Sequence, residues 1–265
     1  MTNSFVLNED IMTVFEAIPD DMFDIAVCDV PYGINVAKMH YLTEKKYTTR
    51  QNNGAKQTAY KNKRIHKFKN WDSVPPTQKY FDELCRISKN QIIFGIDYMK
   101  WKNVGTGRII WDKQVSRGVS FKGQETAYCS FIDHIVTIPL LWDGMRQAKS
   151  LSEPTTHQGN KRLNEKRIHP CQKPVLLYDA IFRMFAKPEM SVIDTHLGSG
   201  SSRISADKFG IELFVGYEAD QEHYNDQEKR WKQYKSQQKL PFGCRPFLQI
   251  DVLPIEAEIN GKQIL

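Results

Sequence analysis

The chain has 265 residues, enough for one well-buried α/β domain with insertions, and its net charge of +6 with a pI near 8.9 admits a polyanionic partner. Five cysteines without a Cys-x-x-Cys pair argue against a disulfide framework and against a zinc site, so no metal is expected. No apolar run nears the ~18 residues of a membrane span and no basic-then-apolar leader opens the chain, which leads us to expect a soluble, cytoplasmic protein without membrane contact.

Phe5-Val6-Leu7 reads as a strand, Asp10 as the start of a helix through about Ala17, Pro19-Asp20-Asp21 as a turn, and Phe23 to Cys28 as a second strand. At the end of that strand, Asp29-Val30-Pro31-Tyr32-Gly33 sets a carboxylate, a proline-fixed turn and an aromatic ring where open α/β sheets put their chemistry. A carboxylate and a neighbouring backbone carbonyl can accept the hydrogens of an amino group while the Tyr32 ring offers a flat face. Such a pocket suits a flipped nucleobase.

A basic insertion, 36–70, follows. Its Val36 to Lys69 stretch holds ten Lys or Arg against Glu44 alone, a net +9 that leaves the remaining chain at −3. Tyr41, Tyr47, Tyr60 and Phe68 are interleaved with those cations, a composition that suits a nucleic-acid-facing loop as well as a solvated insertion. Lys61, Lys63, Arg64 and Lys67 are the candidate DNA contacts within it.

Gln78 to Ser88 has helical spacing, and Gln91 to Ile96 reads as a buried strand. Arg108 to Asp112, Glu125 to Phe131 and Ile135 to Leu140 read as further strands with an antiparallel edge. The irregular basic stretch from Gly144 to Lys173 contains Lys161 and Arg162, and 144–168 is the expected place of a short target-recognition region. His169-Pro170-Cys171-Gln172-Lys173-Pro174 then opens a helix from Val175 to about Ala186.

The strand Ser191-Val192-Ile193 runs into Asp194-Thr195-His196-Leu197-Gly198-Ser199-Gly200-Ser201-Ser202, and a helix follows to Phe209 with Gly210 as its stop. Gly198 and Gly200 let the backbone turn tightly and approach a ligand, and Asp194 can pair with a ligand ammonium. A strand over Leu213 to Tyr217 ends at Glu218, an acid placed to bind both ribose hydroxyls as in nucleotide folds. His196 has no Cys or His spacing for a metal and reads as pocket lining. A polar helix from Gln221 to Gln237 completes the elements.

Asp29-Val30-Pro31-Tyr32 resembles the Asp-Pro-Pro-Tyr motif of DNA amino-methyltransferases, with Val30 in place of the first proline. His169 to Pro174 resembles that family's His-Pro-Thr-Gln-Lys-Pro run, with Cys171 for threonine, and Asp194 to Gly200 resembles its Asp-Pro-Phe-x-Gly-Ser-Gly motif, with Thr195 and His196 for Pro and Phe. The resemblance covers about residues 5 to 230, in the β-class order that puts the catalytic half before the cofactor half. It implies a Rossmann-like, seven-stranded, mostly parallel sheet with one reversed strand near its edge, in a single methyltransferase domain over 1–265.

The implied activity moves a methyl group from S-adenosylmethionine to adenine N6 in double-stranded DNA, with Asp29, Val30, Pro31 and Tyr32 as the catalytic turn. Asp10, His169, Gln172, Lys173, Asp194, Gly198, Ser199, Gly200, Ser201 and Glu218 would hold the cofactor. Asp10 reads equally as a helix cap. Cytosine N4 methylation uses the same scaffold, a methyltransferase of RNA or of protein glutamine would more often show Asn in place of Asp29, and a DNA-binding homologue without catalysis is the third rival. The resemblance points to a bacterial or phage-infected cell and leaves a homodimer and a restriction-endonuclease partner open.

Overall fold

The computed structural model describes residues 2–34, 72–115, 122–143, 146–238, 258–259 and 262–263. The strands of its main sheet are β1 (Asn3–Leu7), β2 (Phe23–Asp29), β3 (Ser88–Phe94), β4 (Arg108–Asp112), β5 (Gln124–Cys129), β6 (Ile135–Pro139), β7 (Ser191–Asp194) and β8 (Leu213–Tyr217), and the two-residue strands Glu258–Ile259 and Lys262–Gln263 pair separately. The helices are α1 (Gln78–Ile87), α2 (Val175–Phe185), α3 (Ser201–Phe209) and α4 (Gln221–Gln238).

The eight strands lie in the order β1-β8-β7-β2-β3-β5-β4-β6. Every pairing is parallel except the two made by β5, with β3 and with β4. The mostly parallel α/β sheet expected from the sequence is thus present, with one strand more than expected and its single reversal in β5, third from the β6 edge.

Alternation along the strands builds two cores, as the two-residue period of a pleated sheet requires. Ile25 and Val27 of β2 pack with Leu177 and Ile181 of α2 and Ala206 of α3. Ala26 and Cys28 point the other way, to Tyr80, Phe81 and Leu84 of α1. Helices therefore cover both faces, and neighbours such as Ile25, Val27, Phe81 and Ile181 are fully buried. Burying one such side chain is worth roughly 1.5–3 kcal/mol.

Two sequence expectations change. The helix expected from Asp10 to Ala17 is a pair of 3-10 turns, Ile11–Thr13 and Phe15–Ala17. Asp10 caps the first through Met12 N–H, Thr13 bonds its hydroxyl back to the Asp10 carbonyl, and Pro19 forces Ile18 into an extended backbone that ends the second. The strand expected over Gln91 to Ile96 runs instead from Ser88 to Phe94, because Gly95, at a left-handed φ of 79°, terminates it.

From β7 the chain proceeds through α3 to β8 on one side, and from β2 through α1 to β3 on the other. The carboxyl ends of β7 and β2 thus flank the switch point of the sheet, where open α/β folds leave a crevice. The reversal of β5 brings its first residues to that same edge, since Gln124 pairs with Asp112 and Glu125 with Trp111 at the end of β4.

Candidate active site

A cleft of about 1280 Å³ opens at this edge. Asp29, Val30, Pro31 and Tyr32 line it on one side, and Leu197, Gly198, Ser199, Ser201 and Glu218 on the other.

On the β2 side the turn is held by its own neighbours. The buried Asp72 accepts from the backbone N–H of Tyr32 at 2.7 Å and of Gly33 at 3.0 Å. Val30, 2 % exposed, is anchored in the core with Ile11 and Ile96. The place of the missing proline is therefore taken by packing and by a carboxylate that fixes the turn. The Tyr32 ring stacks on Tyr98 with centroids 5.1 Å apart and planes 11° from parallel. Its hydroxyl lies 3.0 Å from Asp29 Oδ1 and 3.3 Å from Glu125 Oε2.

Lys173 reaches into this group from the turn before α2. Its ammonium contacts Asp29, the Tyr32 hydroxyl at 3.0 Å and Glu125 Oε2 at 3.2 Å, while Lys113 pairs with the other Glu125 oxygen. Burial opposes the charge on Glu125, but the two ammoniums outweigh it and hold its carboxyl down at about 2. Asp29 goes the other way: burial raises it, with Glu125 adding to the rise and Lys173 opposing it.

On the β7 side, Gly198 and Gly200 take left-handed φ values of 54° and 71°. A side-chain carbon added at Gly198 would meet nothing closer than 3.9 Å, with the His169 ring at 4.0 Å, so the space above this backbone is open to a ligand. Glu218 accepts from Gly198 N–H at 2.8 Å and from Asp220 N–H at 2.9 Å. That ties the end of β8 to the glycine turn, and a carboxylate has acceptor capacity enough for a ligand hydroxyl to share it. Arg230 of α4 donates to the Ser199 carbonyl and the Ser201 hydroxyl, both at 2.9 Å, and to Glu165 at 2.9 Å, whose other oxygen accepts from Val175 N–H at the start of α2.

The departures at Thr195 and His196 form a matched set. The Thr195 hydroxyl pairs with Tyr80 of α1 at 2.6 Å and with the His196 ring at 2.9 Å, and that ring meets Tyr80 edge-on at 5.5 Å. Burial lowers His196 to about 4, so it is a neutral aromatic lining the cleft at neutral pH.

Most residues expected to hold a cofactor line this cleft: Asp10, His169, Gln172, Lys173, Gly198, Ser199, Ser201 and Glu218. Asp194 does not. It lies behind the turn, 1 % exposed, accepting from His196 N–H at 3.1 Å and from the Ser202 hydroxyl, so it braces the turn where a ligand contact was expected. Gln172 similarly spends its amide on Ile168 N–H and the Lys166 carbonyl. Lys173 stands with the β2 turn and not the glycine turn. Lys161 and Arg162 sit exposed on a 3-10 turn capped by Asn160, within an otherwise irregular segment. Lys61, Lys63, Arg64 and Lys67, with the rest of the 36–70 insertion, lie outside the described residues. Among the described residues no cluster of metal ligands occurs and no helix is long and apolar enough to cross a membrane.

Sequence reasoning gave no role to Glu125, Lys113, Asp72, Tyr98 or Gly95. Only Gly95 carried a local signal, a glycine inside the expected strand over Gln91 to Ile96. The others depend on the reversal of β5 and on long-range pairing.

Burial raises Asp194 from an ordinary 3.8 to about 7, against the lowering effect of its Ser202 and His196 bonds. The folded protein then keeps a proton that the unfolded chain releases near pH 4, so this group's contribution is present in full at low pH and is lost as pH rises through 7. Asp194→Asn, isosteric and neutral, should gain thermal stability relative to the parent between about pH 5 and about pH 8. A difference in Tm that does not change with pH would mean that Asp194 is ionised throughout.

A family model of DNA methylases, the N6/N4 methyltransferases, matches residues 34–229, beginning just beyond the β2 turn. Among solved structures, PvuII DNA methyltransferase (cytosine-N4-specific) is 12 % identical with a TM-score of 0.50, covering 89 % of this chain and 91 % of its own. The M1.HpyAVI–SAM complex is 13 % identical with a TM-score of 0.48, covering 86 % of this chain and 99 % of its own. At these identities the PvuII likeness speaks for the fold alone. No curated protein matches the chain.

Proposed function

We propose that this chain, which belongs to the DNA methylase family of N6/N4 methyltransferases, transfers a methyl group from S-adenosylmethionine to N6 of adenine in double-stranded DNA after the base has left the helix. The observation that carries this reading is the cleft that joins the Asp29 to Tyr32 turn to the glycine turn and Glu218. A nucleophile on one side and a donor on the other would meet there.

When bound, S-adenosylmethionine supplies an electrophilic methyl group on a sulfonium. The residues present fit it: Gly198 leaves its backbone open to a ligand, and Glu218 is fixed beside that backbone as an acceptor for ribose hydroxyls. His169, over Gly198 and edge-on to His223 at 4.3 Å, walls the same space. Asp194 acts through the turn by holding His196 N–H and Ser202.

The β2 turn does the chemistry on the amine. Asp29 and the Val30 carbonyl accept the two amino hydrogens, which localises the nitrogen lone pair and raises its nucleophilicity; as the nitrogen takes the methyl the carbon–sulfur bond breaks, a neutral thioether is left, and the proton the nitrogen sheds passes to Asp29. The Tyr32 ring, backed by Tyr98, supplies the stacking face. Fixing both reactants in one cleft removes the entropic cost of their encounter. Adenine is preferred over cytosine because the turn begins with Asp29, where cytosine-N4 enzymes more often begin with Ser.

Glu218→Ala should weaken cofactor binding by roughly 1.5–3 kcal/mol, the range for a hydrogen bond to a charged acceptor, and calorimetry reads this directly. Unchanged affinity would remove Glu218 from the cofactor site. Replacing Lys161 and Arg162 with Gln should flatten the dependence of log DNA affinity on log salt by up to about 1.8, or about 0.9 for each phosphate that the pair neutralises. A slope equal to the parent's would move the DNA-facing surface away from this turn. The reading as a whole is tested by expressing the chain in a methylation-free host and sequencing the DNA for modified bases at single-molecule level. Methylated adenines at a fixed sequence are expected, and unmodified DNA from a host making folded protein would overturn it.

A further inference from the structure

The wall of the cleft around Asp29 holds two carboxylates and two ammoniums. Lys173, 4 % exposed, contacts Asp29 and lies 3.2 Å from Glu125, and Glu125 also holds Lys113. The Tyr32 hydroxyl carries one proton but stands within reach of both carboxylates, at 3.0 and 3.3 Å, and itself accepts from Lys173. The Phe94 ring, 4.7 Å from the ammonium, closes the apolar side. Cys171 and Tyr178 face the group from the α2 side, and burial pushes the first up to about 12 and the second well above its usual range, so both are neutral. Asp194 lies behind, itself raised to about 7 by burial.

This arrangement conflicts with a simple reading of Asp29 as a free acceptor. One of the two Asp29 oxygens, the one nearest Tyr32, is already covered by an ammonium, which donates N–H groups as an exocyclic amine does. We propose that Lys173 is a positioning residue: in the free protein it occupies the place on Asp29 that the target amine takes, and it passes to Glu125 when the amine arrives. The inference rests on the reading of Asp29 as the amine's acceptor.

Three physical requirements are met by the exchange. A partly buried carboxylate beside a second one takes up a proton and stops accepting unless a cation is near, so Lys173 keeps Asp29 ionised until the amine docks. Moving a buried ammonium away is costly unless another anion receives it, and Glu125 is already within 3.2 Å. No proton moves in the exchange itself: a neutral amine replaces an ammonium on Asp29, and that ammonium stays charged against Glu125.

The test is the pH profile of turnover on duplex DNA with S-adenosylmethionine, run on the full chain. Lys173→Met leaves Asp29 beside Glu125 with no shared cation, so the acid limb of kcat/KM, which reports the free protein, should move up by about one pH unit or more. Glu125→Gln added to that variant removes the like charge and should bring the limb back down. Glu125→Gln alone leaves Lys173 with Asp29 as its one carboxylate, so kcat should fall about 10-fold, with no upward shift of the limb. Cofactor affinity within about three-fold of the parent in each variant shows that the fold and the glycine turn are intact.

An acid limb that stays in place in Lys173→Met, or fails to return in the double variant, overturns the proposal. If Lys173→Met does not fold, Lys173→Arg replaces it. Its planar fork should bridge the two carboxylates and release Asp29 poorly, lowering kcat without moving the limb, and a parental kcat would count against the exchange. Failure of the Asp29 reading is separate, because it appears as full turnover in Asp29→Ala.

Discussion

Asp29→Ala should abolish methyl transfer, by roughly a thousand-fold or more in kcat, while cofactor affinity stays within a few-fold. The carboxylate ends β2 at the switch point, faces the cleft, and is held with Tyr32 and Lys173 about it. As the nitrogen gains a bond to the methyl carbon it develops positive charge, and a fixed carboxylate stabilises that charge more than it stabilises the neutral amine. Glu218 and Gly198 lie across the cleft, just after β8 and in the β7 turn, so on the proposed reading the change leaves the cofactor's side of the cleft as it was. Single-turnover kinetics with calorimetry separates the two effects. Normal turnover in the variant would sink the mechanism.

Gly95→Ala should be nearly as damaging, although residue 95 carries no functional group. Gly95 sits at φ 79°, and a side-chain carbon there would lie 2.0 Å from Tyr32 Cε1 and 2.4 Å from Cδ1. Left-handed backbone costs a non-glycine residue about 1–2 kcal/mol, and the clash must be relieved by moving the ring. Moving the ring breaks the Tyr32 bond to Asp29 and the stack on Tyr98. We expect kcat to fall about 100-fold or more, as misplacement by about 1 Å can cost that much, with cofactor affinity unchanged. A variant with lowered Tm but parental kcat would show that the ring's position does not matter for turnover.

The sequence made the parallel core and both ends of the cleft legible because their signals are local. Apolar strands followed by Asp29-Val30-Pro31-Tyr32 and by Asp194 to Gly200 need only period and turn chemistry to be placed. Helices α2 and α3 match their expected spans to within a residue, since Pro174 and Gly210 punctuate them. The Asp10 helix misled because a cap and apolar spacing were present, while Thr13 back-bonding and Pro19 shortened the run into two turns.

What was not legible depends on tertiary pairing. Glu125 reaches Lys173 only because β5 runs backwards, and Asp72 meets the β2 turn from about forty residues away. Asp194 shows the limit of transferring a role by motif: the residue is in the expected place, but its oxygens face the turn's own donors.

The most direct test of adenine N6 methylation in DNA is nucleoside analysis by mass spectrometry after incubating the purified chain with duplex DNA and isotopically labelled S-adenosylmethionine. Label recovered in N6-methyldeoxyadenosine, and absent with Asp29→Ala, is the expected result. Label recovered in N4-methyldeoxycytidine, or none in DNA from protein that binds the cofactor, would contradict it.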